Sequence, residues 1–285
     1  MTTRFFGQYL LEKGRITSQQ LLDALECQKQ VTVPAVGLAL ERGLLTAEQV
    51  KLLLQQHKKR HGSLAELARE NGLLSQTQID GLIEKQETNH KIKLAETLLA
   101  KGYIAPEVLE KEIREYNKES ERVAAEIAAT FSNLAHNNII KTFIDLILIM
   151  FTQFGKQDII IERCETGKEK VRLFRWVISQ KIAGQDVEFN CLLSVPPKLL
   201  LQMASTMLDE HVSSPDDLAL DATKEFINIA NGTACAKLSE SGVSLKLMPP
   251  EVYETTTTPY ALRTDEVVCV HLASPDSKLE VAFEF

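Results

Sequence analysis

Apolar positions in the first third of the chain recur at a fixed spacing. Glycines stand at 14, 43, 72 and 102, about 29 residues apart. Two residues beyond each comes Ile16, Leu45, Leu74 or Ile104, and seven beyond comes Leu21, Val50, Ile79 or Leu109. Eleven beyond comes Leu25, Leu54, Ile83 or Ile113. Each unit reads as a helix ended by glycine, then a second helix with one apolar face. Thr17, Thr46 and Ser75 each precede a glutamine by three residues (Gln20, Gln49 and Gln78), the signature of a capping box. In the fourth unit Ala105-Pro106 replaces it, and proline suits a first helical turn. Periods of this length predict stacked helix pairs that share their apolar faces. Residues 1–117 are therefore expected to form an all-helical repeat domain of four units.

The pattern changes after the polar run REYNKESER at 114–122, the expected boundary, although a continuous helix also fits through it. A second domain is expected over 118–285. Helical periodicity runs from Val123 to about Phe154. Strand-like runs follow at 158–165, 171–179 and 188–196, broken at Gly167 and Gly184. Helix returns at 196–210 and 215–240, and the end (VSLKLMPPEV, EVVCVHLA, KLEVAFEF) is strand again. The order α-βββ-αα-βββ predicts helices layered on an antiparallel sheet, so the fold class is α+β overall, with all-α helix pairs at the N-terminus.

Composition narrows the function classes. The 285 residues are 44% hydrophobic and 25% charged, with net charge −7, which fits globular domains and argues against a nucleic-acid footprint over the whole chain. Five scattered cysteines contain no CxxC pair and read as reduced thiols. The most apolar stretch, Ile139–Phe151, spans about 13 residues and carries Lys141 and Asp145, too short and too charged for a membrane span. The start of the chain lacks the apolar run of a signal peptide, and a cytoplasmic location is expected. The six histidines show no metal-ligand spacing, and no phosphate-binding loop or dinucleotide fingerprint is present.

The segment 213–242 carries the candidate chemistry. Ser214 is the expected cap and Pro215 sits in the first turn, while Asp216 and Asp217 complement the positive end of the helix dipole. At 100° per residue, Asp217, Asp221, Glu225, Asn228 and Gly232 share an arc of roughly 80°. Ala219, Ala222, Phe226, Ala230 and Thr233 lie opposite, so one face is core and the other a polar stripe ending in a glycine that lets another surface approach.

The spacing Asp221-x-x-x-Glu225-x-x-Asn228, followed by Pro249-Pro250, resembles the signature of the CheC/CheX/FliY phosphatases, and the single Glu-x-x-Asn makes it similar to the one-site CheX type. The resemblance implies hydrolysis of the aspartyl phosphate on a CheY-like receiver. Glu225 and Asn228 are then the catalytic pair, with Asp221 and Gly232 in support. It implies no cofactor of the chain's own, magnesium being supplied by the receiver, and a homodimer through the C-terminal domain. Residues 6–28 resemble the MshEN-type repeat of type II secretion ATPases, some of which bind cyclic di-GMP through Arg-Leu-Gly units. That second resemblance points to Arg4 and Gly7. The competing reading is a non-enzymatic adaptor that binds a receiver or cyclic di-GMP.

Overall fold

Gly14, Gly43, Gly72 and Gly102 all adopt left-handed backbone conformations, with φ between 64° and 69°, each just past the end of a helix. A side chain there would be strained, which is why glycine returns at each of these turns. The structure is a computed structural model that describes residues 5–28, 36–57, 64–86, 90–153, 159–257, 260–275 and 277–285. Arg4 lies outside the described residues. The chain divides into two compact units, one running to Glu121 and the other from Arg122 to Phe285.

In the first unit, α1 (Phe6–Glu12), α3 (Val36–Glu41), α5 (Leu64–Glu70) and α7 (His90–Ala100) precede the four glycines. They alternate with α2 (Ser18–Gln28), α4 (Ala47–His57), α6 (Gln76–Gln86) and α8 (Pro106–Ser132). The capping boxes form: Thr17, Thr46 and Ser75 donate their backbone N–H to the glutamine Oε1 at 2.8 Å, and their hydroxyls accept from the glutamine N–H at 3.2–3.3 Å. The apolar faces close one core that includes Leu10, Leu40, Leu53, Leu67 and Leu98. Within it Glu112, wholly buried, accepts from the Tyr9 hydroxyl at 2.9 Å and from Arg15 Nε at 2.7 Å. Gly7 is part of this packing. A Cβ there would meet Leu21 and Leu94 side chains at 2.8 and 2.9 Å, so its place is filled by apolar contact.

The polar run 114–122 lies inside α8, which continues unbroken to Ser132 and carries the chain from the first unit into the second. The helical pattern expected from Val123 to Phe154 is two helices. His136, at φ 57°, turns the chain between α8 and α9 (Asn137–Gln153).

The second unit is a seven-stranded antiparallel sheet with α9, α10 (Pro197–Leu208) and α11 (Asp217–Glu240). Its strands are β1 (Ile160–Thr166), β2 (Trp176–Gly184), β3 (Glu188–Val195), β4 (Leu245–Leu247), β5 (Glu251–Glu254), β6 (Val267–Ala273) and β7 (Lys278–Glu284). The order across the sheet is β1-β6-β7-β3-β2-β4, with β5 also pairing with β2. The final strand group is four strands where three were expected, because Pro249 and Pro250 supply no N–H to a ladder and separate β4 from β5. The second strand also starts later than the expected Val171. The Arg172 N–H donates to the Glu280 carboxylate and the Phe174 N–H to Ser194 Oγ, so side chains take the place of strand partners there.

One sheet face packs on the helices through Ile178, Ile182, Leu193, Val270 and Val281, against Phe143, Ile147, Phe226 and Ala230. Period-two alternation sends Val177, Leu192 and Ala282 to the other face, where Tyr260 covers them.

Candidate functional site

The polar stripe belongs to α11. The helix begins at Asp217, and its cap is Asp216, whose carboxylate accepts from the Ala219 N–H at 2.9 Å. Ser214, the expected cap, lies two residues further out. A carboxylate at this place both satisfies an orphan N–H and complements the dipole. Ala219, Ala222, Phe226 and Ala230 are buried as the pattern requires. Thr233, expected on that side, is exposed, and its hydroxyl donates to the Ile229 carbonyl at 2.8 Å.

On the outward face Glu225 is exposed and makes no hydrogen bond or ion pair among the described residues. Asp221, one turn earlier, is paired with Lys224 Nζ at 2.5 Å and is thereby occupied on the helix's own surface. Leu218, two turns before Glu225, is 54% exposed, and Met248 beyond β4 is 43% exposed, so apolar side chains accompany the acid and the amide. Gly232 is half-buried, and a Cβ on it would lie 3.7 Å from Leu247 Cδ1 and meet nothing else within 4 Å. The fold itself therefore does not require glycine at 232. Gly232→Ala is expected to raise the unfolding free energy by about 0.5–1 kcal/mol through helix propensity, measured by denaturation followed on Trp176 emission.

Asn228 is half-buried, and its environment is built from residues that the sequence reading did not single out. Its Oδ1 accepts from Gln180 Nε2 at 2.9 Å. The same Nε2 donates to the Met248 carbonyl at 2.9 Å, and Gln180 Oε1 accepts from Asn231 Nδ2 at 2.8 Å. Gln180 and Asn231 are both wholly buried. Asn231 also contacts the thiol of Cys191, which burial pushes up to about 12. The signal for Gln180 was present in the sequence. Its row on β2 is Trp176, Ile178, Gln180 and Ile182, a helix-facing register in which one amide replaces an apolar side chain.

Among the described residues, one group has the chemistry to hold a metal ion: Cys269, His271 and Glu280, all buried, with ligand atoms within 4.8 Å of one another. They lie on the sheet face away from α11, because Val268 and Val270 take the helix-facing register. Glu280 already accepts from the Arg172 N–H at 2.5 Å and from the Cys269 thiol at 3.4 Å, and it meets His271 Nδ1 at 3.0 Å. Arg163 Nη2 stands 3.4 Å from the same Nδ1. Burial and the Glu280 carboxylate push the Cys269 thiol well above its ordinary range, which keeps it a protonated donor. The cluster is thus closed by its own hydrogen bonds, with the Arg163 guanidinium beside it.

Residues 180–272 match the family model described as chemotaxis phosphatase CheX, and the matched segment contains Gln180, Asp221, Glu225, Asn228 and Gly232. Several solved structures are similar to the chain. A chemotaxis protein CheX from Desulfovibrio desulfuricans is 17% identical, with a TM-score of 0.44, over 51% of this chain and 97% of that one. CheX from Vibrio vulnificus is 14% identical, with a TM-score of 0.47, over 51% and 97%. The CheX–CheY–BeF3–Mg2+ complex from Borrelia burgdorferi gives 20% identity and a TM-score of 0.43, over 51% and 96%. No curated protein matches the chain. Among the described residues, no helix is long and apolar enough to cross a membrane.

Proposed function

We propose that the C-terminal unit hydrolyses the aspartyl phosphate of a CheY-like receiver domain, with Glu225 and Asn228 entering the receiver's pocket from the outward face of α11. The observation that carries this reading is the state of those two side chains within the segment that matches the phosphatase family. Glu225 is exposed and unpaired, and Asn228, one turn on, is held by a buried amide while remaining half-exposed.

In the hydrolysis, a water oxygen bonds to phosphorus as the bond from phosphorus to the aspartyl oxygen breaks. The products are inorganic phosphate, which carries both of the water's protons until one passes to solvent, and the receiver's free carboxylate. Magnesium comes with the receiver and neutralises charge on the phosphoryl group. The phosphatase contributes position. The Asn228 carboxamide hydrogen-bonds the water in line without bringing charge to the phosphoryl oxygens, and the Glu225 carboxylate pairs with a receiver lysine to set the register. Leu218 and Met248 bury apolar surface beside them.

The test is release of phosphate from a phosphorylated receiver, tried across several receivers, with and without the chain. Glu225→Ala is expected to raise KM for the phospho-receiver about tenfold, the loss of one charge-assisted contact. Gly232→Ala, benign for the fold, is expected to weaken receiver binding if α11 is the docking face. Decay at the intrinsic rate of every receiver would leave a receiver-binding adaptor in place of an enzyme.

In the full chain we place the helical repeats, roughly residues 1–117, ahead of this domain as a cytoplasmic sensing or partner-binding module. A homodimer through the C-terminal domain and cyclic di-GMP as a ligand of the repeats belong to the same proposal. Sedimentation and calorimetric titration test them separately.

A further inference from the structure

We infer that Gln180 is a positioning residue that locks the Asn228 carboxamide with its oxygen inward and its N–H groups outward, so that the site offers a hydrogen-bond donor to the acyl phosphate. The inference rests on the phosphatase reading, but its first observable does not.

An amide at a buried position can be read in either of two orientations unless a partner of fixed polarity decides between them. Here a backbone carbonyl decides. Met248 O can only accept, so the Gln180 atom 2.9 Å away is Nε2. The second proton of Nε2 then points to Asn228, which must answer with Oδ1, at 2.9 Å. Gln180 Oε1 is left to accept from Asn231 Nδ2 at 2.8 Å. All three hydrogen-bonding positions used on Gln180 are mutually consistent, and a wholly buried glutamine keeps them because losing any one leaves a polar group without water. Asn228 Nδ2 makes no hydrogen bond among the described residues and is the end of the amide directed away from this network.

That polarity suits the proposed substrate. A phosphoryl group offers oxygen lone pairs at every point, while its attacking water offers lone pairs and protons. An outward carbonyl would face the phosphoryl oxygens with like charge, whereas an N–H donates to one of them or to the water. In a loose transition state the nucleophile transfers little charge, so a donor can fix the water with little loss of its reactivity.

Two variants test the lock. Gln180→Glu keeps shape and, at a pH high enough to ionise its carboxyl, reverses polarity, because an ionised carboxylate can only accept, and Asn228 must then turn its Nδ2 inward. Gln180→Met fills the space and releases the amide. The first measurement is solvent exchange of the Asn228 side-chain amide protons by NMR, assigned through their loss in Asn228→Asp. Exchange is expected to slow about tenfold or more in Gln180→Glu, as the protons move from solvent into a buried hydrogen bond. An unchanged rate overturns the inference, whatever the activity.

The second measurement is the split between kcat and KM on a phosphorylated receiver that the native chain hydrolyses. We expect kcat to fall on the order of tenfold in Gln180→Met and further in Gln180→Glu, with KM within about threefold. Full kcat in Gln180→Met, or kcat and KM falling together in step with melting temperature, overturns it. Should Gln180→Glu fail to fold, the Met variant decides. If the native chain releases no phosphate from any receiver, the phosphatase reading fails, and the exchange experiment still reports which way the amide faces.

Discussion

Asn228→Ala is expected to lower phosphate release from a phosphorylated receiver on the order of 100-fold while leaving receiver affinity within a few-fold of native. The asymmetry follows from what the side chain does. An amide that orients one water contributes to the reacting geometry and adds little to the proposed docking surface, whose contacts would come from Glu225, Leu218 and Met248. The structural cost is bounded as well, because Gln180 Nε2 keeps its bond to the Met248 carbonyl and loses only the one to Asn228, about 1–3 kcal/mol for a buried donor left unpaired. Asn228→Asp sharpens the result. It preserves an acceptor for Gln180 but turns a carboxylate oxygen toward the phosphoryl group, so it is expected to be at least as inactive as the alanine. Single-turnover phosphate release paired with receiver titration separates the two quantities. Native rates from Asn228→Ala would remove the residue from the reaction and with it the hydrolytic reading.

Much of the fold was legible because its signals are local. Each turn glycine with positive φ announced itself by spacing, and each capping box needed only a residue and its neighbour three positions on. The outward placement of Glu225 and the half-exposure of Asn228 likewise follow from helical period on one element. Errors arose where a signal depended on tertiary partners. The run at 171–175 has strand composition, yet the amides of Arg172 and Phe174 are taken by Glu280 and Ser194 from distant strands. The break at His136 falls in the mainly polar run 132–138, between apolar helical patterns that continue on both sides. The polar run 114–122 left both a boundary and a continuous helix open in sequence, because α8 exposes much of its surface there, and it is helix throughout.

The candidate site divides in the same way. The residues proposed to face a partner lie on one helix and could be listed from spacing, but the residues that hold them do not. Gln180 comes from β2, Met248 from beyond β4, and Asn231 from the buried side of α11, and only the packing of helix on sheet brings their polar atoms within 3 Å. Gln180 could have been flagged as the polar member of an inward row, although its partners could not. His271 was similarly unremarkable in sequence, because its neighbours Glu280 and Glu165 lie on the two strands that flank β6.

That last cluster sets the largest effect on stability. Glu280→Ala is expected to reduce the unfolding free energy of the C-terminal unit by about 3–5 kcal/mol, from several buried polar groups left without a partner together with the cavity opened. The carboxylate is 3% exposed and serves three partners at once: the Arg172 N–H, the Cys269 thiol and His271 Nδ1. Alanine fills none of these roles and leaves a cavity between β6 and β7. A Glu165 oxygen stands 3.0 Å from His271 Nε2 without a hydrogen bond between them, so Glu165 does not take the place of Glu280. Glu280→Gln keeps the volume and an acceptor for the Arg172 N–H, so its loss should be nearer 1–2 kcal/mol. The chain's single tryptophan makes the measurement clean: Trp176 is buried at the start of β2, so its emission during urea unfolding reports the second unit. A loss below about 1 kcal/mol for the alanine variant would mean that water or Arg163 replaces the carboxylate, and that the cluster contributes to which strands pair rather than to how tightly they hold.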